Sequence, residues 1–206
     1  MSDDKNLLIT KIKLIALMAV FGVPLVVALI FARLSDDGLP DFVGTSNNGD
    51  FMVPVVPLTE WDLRTPEGQS LDEGVLQDDT EEWTLVYLSI NGCAPVCQRQ
   101  IYSMRQLRLM QGRNALRLDR LFIYGGLLEK EVASVAQSFP EMKMATGSEA
   151  ELQRIQQQFQ QPGHNSSDRI YLVDPVGQAM MSYPADIKPR LIYKDLKKLL
   201  KVTSTE

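Results

Sequence analysis

The chain has 206 residues, 21 Lys plus Arg against 26 Asp plus Glu, and a net charge of −5. That length leaves room for one globular domain with a real core plus appendages, and the acidic balance argues against a general nucleic-acid binder. Two cysteines and one histidine exclude zinc-finger spacings and most histidine chemistry, and no Gly-rich phosphate loop or Ser/His/Asp order is present.

From the N-terminus, Leu14 to Ala32 carries no charge. As a helix it would span roughly 28 Å, about the thickness of a bilayer's hydrocarbon core. Gly22 and Pro24 suit a membrane helix better than a soluble one. Lys5, Lys11 and Lys13 precede it, and Arg33 is soon followed by Asp36, Asp37 and Asp41. The positive-inside bias therefore predicts residues 1–13 in the cytoplasm, an uncleaved transmembrane anchor over 14–32, and the rest outside. Residues 33–57 read as linker, because Gly38, Pro40, Gly44 and Ser46-Asn-Asn-Gly49 interrupt any period. The remaining stretch, 58–206, reads as the globular domain. It opens with a small hairpin in which Trp61 and Leu63 alternate with Asp62 and Arg64 before a turn at Thr65-Pro-Glu-Gly68.

Trp83 to Ser89 is a continuous apolar run, as a strand buried on both faces should be. Asn91-Gly92 ends it, and Cys93-Ala-Pro-Val-Cys97 follows. Cys97, Ile101, Met104 and Leu107 then recur at helical spacing, with Pro95 suited to the first turn. The two cysteines thus sit four apart at a strand-to-helix turn. There, unpaired backbone N–H groups and the positive end of the helix dipole favour thiolate, so Cys93 is expected to be the more reactive, with Cys97 one turn on and able to face it. Two such sulfurs can close a disulfide, structural or redox-active, or share a soft ion such as Cu(I).

Leu118 to Tyr124 reads as a second buried strand closed by Gly125-Gly126, and Val132, Val135, Ala136 and Phe139 mark a helix stopped by Pro140. Ser148-Glu-Ala-Glu151 is a capping-box pattern for a further helix whose many glutamines read as a solvated face. After the Pro162–Ser167 loop, Ile170–Val173, Asp174-Pro-Val-Gly177 and Ala179–Tyr183 make a β-hairpin, and Pro189 opens the last helix. The order βαβ then ββα predicts a central mixed sheet flanked by helices, with the thiol pair where thioredoxin-like α/β folds keep theirs.

Two compositional features stand out. Six arginines between Arg99 and Arg120 meet one acid, Asp119. They form either a solvated helix face or a surface that docks on an acidic partner or anionic lipid. Met104, Met110, Met142, Met144, Met180 and Met181 offer thioethers to Cu(I), but most lie on predicted apolar faces and read as core fillers.

The C-x3-C of Cys93 to Cys97, Thr146-Gly-Ser148 with its following acid, the Tyr171-Leu-Val-Asp-Pro-Val-Gly177 hairpin and the single anchor together resemble the Sco/SenC-type proteins. These are membrane-tethered thioredoxin-like factors that help assemble the copper centre of cytochrome c oxidase. The resemblance implies that Cys93 and Cys97 are copper ligands or the thiols that reduce a disulfide in an oxidase subunit. It also implies a third, histidine ligand just before the hairpin strand, where ungapped matching places Ser166, with His164 two residues earlier. On this reading the chain is an assembly factor rather than an enzyme. Its domain lies in the bacterial periplasm or the equivalent side of the mitochondrial inner membrane, and its partner is the copper-bearing oxidase subunit. A general membrane-tethered thiol–disulfide oxidoreductase and an oxidase scaffold without redox or metal chemistry are the competing readings.

Overall fold

The computed structural model describes residues 11, 13–14, 16–24, 26–27, 47–58, 61–71, 82–161 and 168–202. It divides into two units, Met1–Ser46 and Asn47–Glu206. In the first unit the described residues are helical, and Leu17, Phe21 and Val23 are exposed. Among the described residues no helix is long and apolar enough to cross a membrane. The expected span 14–32 falls partly outside them.

The second unit is built on one sheet. Its strands are β1 (Asp50–Pro57), β2 (Trp83–Ser89), β3 (Leu118–Tyr124), β4 (Lys143–Ala145), β5 (Ile170–Val173) and β6 (Gln178–Tyr183), in the order β1-β6-β5-β2-β3-β4. The pairs β2–β3 and β3–β4 are parallel, whereas β2–β5, β5–β6 and β1–β6 are antiparallel. Helices α1 (Pro95–Met110), α2 (Glu129–Ser138), α3 (Glu149–Gln158) and α4 (Pro189–Val202) complete it, with a 3-10 segment, Gly112–Arg117, after α1. This is the expected thioredoxin-like mixed α/β arrangement.

The central strand explains the layering. Along β2, Trp83, Leu85 and Tyr87 join a cluster with Ile101, Met104 and Leu107 of α1 and Ile192, Leu196 and Leu200 of α4. The alternate residues Val86 and Leu88 pack on the other side with Leu152 and Ile155 of α3, Phe159 and Leu63. Period-two alternation sends successive side chains to opposite faces, so a strand covered on both must be apolar throughout. Phe159 stacks on Tyr171 at 4.0 Å between ring centroids and meets Trp61 edge-on at 5.5 Å. Met104, Met142, Met144 and Met181 are all buried, as core fillers should be.

Three local readings need correction. Residues 50–57, inside the expected linker, form edge strand β1, so the compact unit begins at Asn47 rather than at residue 58. Pro54 and Pro57 masked it, yet prolines are compatible with an edge strand because one row of N–H groups has no ladder to serve. Strand β1 pairs with β6 only near its ends, at Asp50↔Ser182, Phe51↔Met181, Val56↔Ala179 and Pro57↔Gln178. Strand β4, only 3 residues long, carries too little pattern to be read. The glutamines around α3 are not all a solvated face. Gln158 accepts the Trp61 indole N–H at 2.9 Å and Gln161 accepts the Val53 N–H at 3.2 Å.

The expected hairpin at Trp61–Leu71 is present in reduced form, as an Arg64↔Ser70 bridge that also joins Arg64 to Thr146 beyond β4. Ser148 caps α3 by accepting the Glu151 N–H at 3.1 Å. The Glu151 carboxylate, instead of returning to the cap, accepts the Asp62 N–H at 3.1 Å and pairs with Arg154. The capping motif therefore also fastens the hairpin.

The entry to β1 is clasped by a buried carboxylate on α4. Asp195, 3% exposed, accepts the backbone N–H and the side-chain amide of Asn48, each at 2.7 Å, and the Gly49 N–H at 3.1 Å. The Tyr183 hydroxyl lies 3.4 Å from the same carboxylate. Asp195→Ala orphans these donors and should cost roughly 3 kcal/mol, read as a lower urea midpoint with an unchanged slope. A loss below about 0.5 kcal/mol, the range of an ordinary surface substitution, would show that the clasp contributes nothing.

Candidate functional site

The site begins where β2 ends. The Gly125 N–H donates to the Ser89 carbonyl and the Gly92 N–H to the Gly125 carbonyl, each at 2.9 Å. The Ser89 hydroxyl donates to the Gly92 carbonyl at 2.6 Å. The loop after β3 is thereby laced to the loop that delivers Cys93. Both loops need glycine: Gly92 and Gly126 hold φ of 83° and 65°, a region L side chains avoid. A Cβ on Gly125 would stand 2.7 Å from the Ile90 carbonyl oxygen, inside any tolerable contact.

Helix α1 then starts with Ala94 as its N-cap and Pro95 in the first turn. No side chain caps it, and no acid lies in that turn. The positive end of the helix is therefore neutralised by nothing on its own first turn. Cys93 and Cys97 meet there, joined as a disulfide with Cα atoms 5.1 Å apart. Cys97 is 1% exposed and belongs to the core cluster, whereas Cys93 is only partly buried. One sulfur is thus part-exposed, and its partner, on the apolar face of the helix one turn on, is covered.

Cys93 opens into a groove of about 640 Å³ between α1 and α2. Gln98, Ile101 and Tyr102 form one wall; Leu127, Val135 and Phe139 form the other. Helix α2 has no fully buried residue, so it covers the sheet loosely and leaves this channel beside the sulfur. The sequence pattern reads Val135 and Phe139 as core. Their part-exposed positions as groove wall follow from the tertiary placement of α2, for which no local signal exists.

On the other side, Gln100, one turn past Cys97, is buried and donates to the Asp168 carbonyl at 3.3 Å. Tyr87 of β2 donates its hydroxyl to the Asp168 carboxylate at 3.0 Å. Burial, reinforced by that carboxylate, pushes the Tyr87 phenol far above its ordinary pKa, so it remains a donor. Asp168 itself takes a left-handed φ of 59°. The neighbouring Arg169, 7% exposed, pairs with Asp50 and donates to the Ser182 hydroxyl. The residue that closes the 162–167 stretch is thus fixed to both the cysteine helix and the central strand. His164, the expected third ligand, lies outside the described residues. Among the described residues, no group of three or more His, Cys, Asp or Glu is placed to hold a metal ion. The donors brought together are the two sulfurs.

A family model described as transmembrane-like, thioredoxin-like, C-terminal domain matches residues 83–203, more than half of the chain. The chain belongs to this family. Its structural neighbours include Sco proteins. Thermus thermophilus apo Sco1 superposes with a TM-score of 0.57 at 18% identity, covering 76% of this chain and 98% of that one. Copper-bound yeast Sco1 gives 0.55 at 17% identity, covering 77% and 95%. A thiol:disulfide interchange protein from a Bacteroides species gives 0.51 at 11% identity, covering 76% and 92%. These likenesses establish the thioredoxin-like fold. No curated protein matches the chain in sequence.

The loop lacing yields a direct test. Gly125→Ala forces a Cβ against backbone rather than against a flexible side chain, and should destabilise the protein by about 1–3 kcal/mol. The thiol–disulfide equilibrium of Cys93–Cys97 against glutathione should move with it. A variant as stable as wild type with an unmoved equilibrium would show that the two loops are not tightly coupled.

Proposed function

We propose that this protein is a membrane-anchored, Sco-type factor that assists cytochrome c oxidase assembly through Cys93 and Cys97, by carrying Cu(I) as cargo or by thiol–disulfide exchange. The observation that carries this reading is the cysteine pair itself: two sulfurs within bonding reach at an uncapped helix N-terminus, one buried and one opening on a groove. Copper is bound in the Bradyrhizobium japonicum and yeast Sco structures that share this fold.

The donor set fits the cargo. Reduced, the pair presents two soft thiolates to a soft monovalent ion, and the helix terminus offsets part of their negative charge. His164 is the proposed third donor. It stands four residues before Asp168 in the chain, and Asp168 is itself tied to the cysteine helix by Gln100.

The same residues support exchange. The Cys93 thiolate attacks a client disulfide and releases one client thiolate. The buried Cys97 thiolate then displaces the second, closing the Cys93–Cys97 bond and leaving two electrons on the client. A dithiol reductant must return the pair to the reduced state. The proposed anchor is the apolar stretch 14–32, with residues 1–13 cytoplasmic and the globular unit on the periplasmic side, an oxidising compartment that suits such a cycle.

Anaerobic Cu(I) titration of the reduced full-length protein tests the copper route. Wild type should bind tightly, Cys93→Ser/Cys97→Ser should lose binding, and His164→Ala should weaken it by about tenfold, the worth of one modest ligand contact. No binding by wild type would remove the cargo role and leave exchange, which predicts rapid reduction of an oxidase-subunit disulfide. If the double serine variant still supports oxidase assembly in cells, neither chemistry operates and the chain is a scaffold.

A further inference from the structure

A second cavity lies at the far end of α1 from the cysteines. It encloses about 330 Å³ and is walled by Arg105, Arg108, Arg120 and Glu141 together with Leu109, Leu116 and Phe139. The arginine run between Arg99 and Arg120 reads in the sequence as one face, solvated or docking, but the structure divides it. Arg99, Arg105 and Arg113 are exposed, Arg117 donates to the Leu200 carbonyl on α4 at 2.8 Å, and Arg120 on β3 is only 3% exposed.

Arg120 is the anomaly. A guanidinium so deeply buried normally has its donors satisfied, since each buried unpaired donor costs on the order of 1–3 kcal/mol. Here Nε and Nη1 have no hydrogen-bond partner, and Nη2 reaches Glu141 only at 3.7 Å. Glu141 is shared, because Arg108 also pairs with it while donating from Nε to the Ala115 carbonyl at 3.0 Å. The other carboxylate nearby, Asp119, is paired with Lys143. One glutamate therefore pairs with two of the pocket's three arginines, and its side chain is 71% exposed, so it can swing aside at little cost. Burial first, and the Arg108 charge second, press the Arg120 pKa down against the opposing pull of Glu141.

We propose that this pocket is a binding site for an oxyanion, a carboxylate or phosphate group carried on an apolar body, with Glu141 as a displaceable internal counter-ion. The fork of N–H donors on each guanidinium matches the paired oxygens of either group. Leu109 and Leu116, 60% and 76% exposed, give the apolar body its seat. The site holds neither cysteine, and Phe139 borders both it and the groove beside Cys93.

Calorimetric titration of the full-length protein with hexanoate, hexyl phosphate and the neutral hexanamide tests it. At least one anion should bind saturably, which of the two reporting the group preferred, and hexanamide should not bind. Arg105→Gln/Arg108→Gln should weaken the anion by about tenfold or more, as the loss of charge-assisted hydrogen bonds requires. Glu141→Gln should tighten it several-fold, an effect that a purely structural ion pair would not produce. Arg120→Met should abolish binding while leaving the thermal midpoint unchanged or raised, because an apolar side chain replaces an ill-satisfied buried charge. Absence of saturable anion binding, equal binding of hexanamide, affinities within twofold across the arginine variants, or weaker binding in Glu141→Gln would each overturn the proposal.

Discussion

The structure depends on the burial of β2 on both faces. Seven consecutive residues, Trp83 to Ser89, sit between α1 and α4 on one side and α3 with the β1 and hairpin segments on the other. Fully burying each large side chain contributes on the order of 1.5–3 kcal/mol, and β2 lies in the middle of the sheet, with its neighbours β5 and β3 divided between the same two clusters. Everything at the site inherits its position from this strand. Its C-terminal end fixes where the chain must turn, the turn is sewn to the loop after β3, and α1 can only start at Ala94. The cysteines are therefore held by the rigid centre of the domain rather than by a surface loop.

That placement separates the roles of the two sulfurs by burial alone. Cys97 faces the core on α1 and is covered by the packing that anchors the helix, so it can act only on a group already attached to Cys93. Cys93 meets solvent through the groove beside α2, which exists because α2 contributes only half-buried residues. On the chain-entropy account, a bridge across a separation of four residues stabilises by about 2 kcal/mol. A core of this size does not require it, and a fastening role would not require one sulfur to open on a groove.

The parts legible in the sequence were those governed by short-range patterns. The unbroken apolar run of β2, the Asn91-Gly92 break, the helical spacing from Cys97 to Leu107 and the β5–β6 hairpin are each decided by neighbours within a few residues, and each stands as read. Strand β1 was hidden by Pro54 and Pro57, whose local meaning changes only once the strand is known to be at an edge. Strand β4 was too short to carry a period. At the site, the two cysteines were legible from their spacing. The tie from Gln100 and Tyr87 to Asp168 joins residues 68 and 81 positions apart, and no pattern along the chain encodes such a contact.

Arg120 shows the same limit from the other direction. In sequence it continues a run of arginines that reads as one surface face, solvated or docking, and the exposed Arg99, Arg105 and Arg113 fit that reading. Its own strand contradicts it: β3 alternates, and the residues on either side of Arg120, Asp119 and Leu121, point away from the face that α1 covers. Arg120 is thus carried inward by register, beneath α1, where Arg108 and Glu141 come to it from separate elements. A buried charge with so few partners has an energetic cost that packing alone gives no reason to retain. An apolar side chain at this position would serve the core better, so the arginine is best understood through what its field attracts.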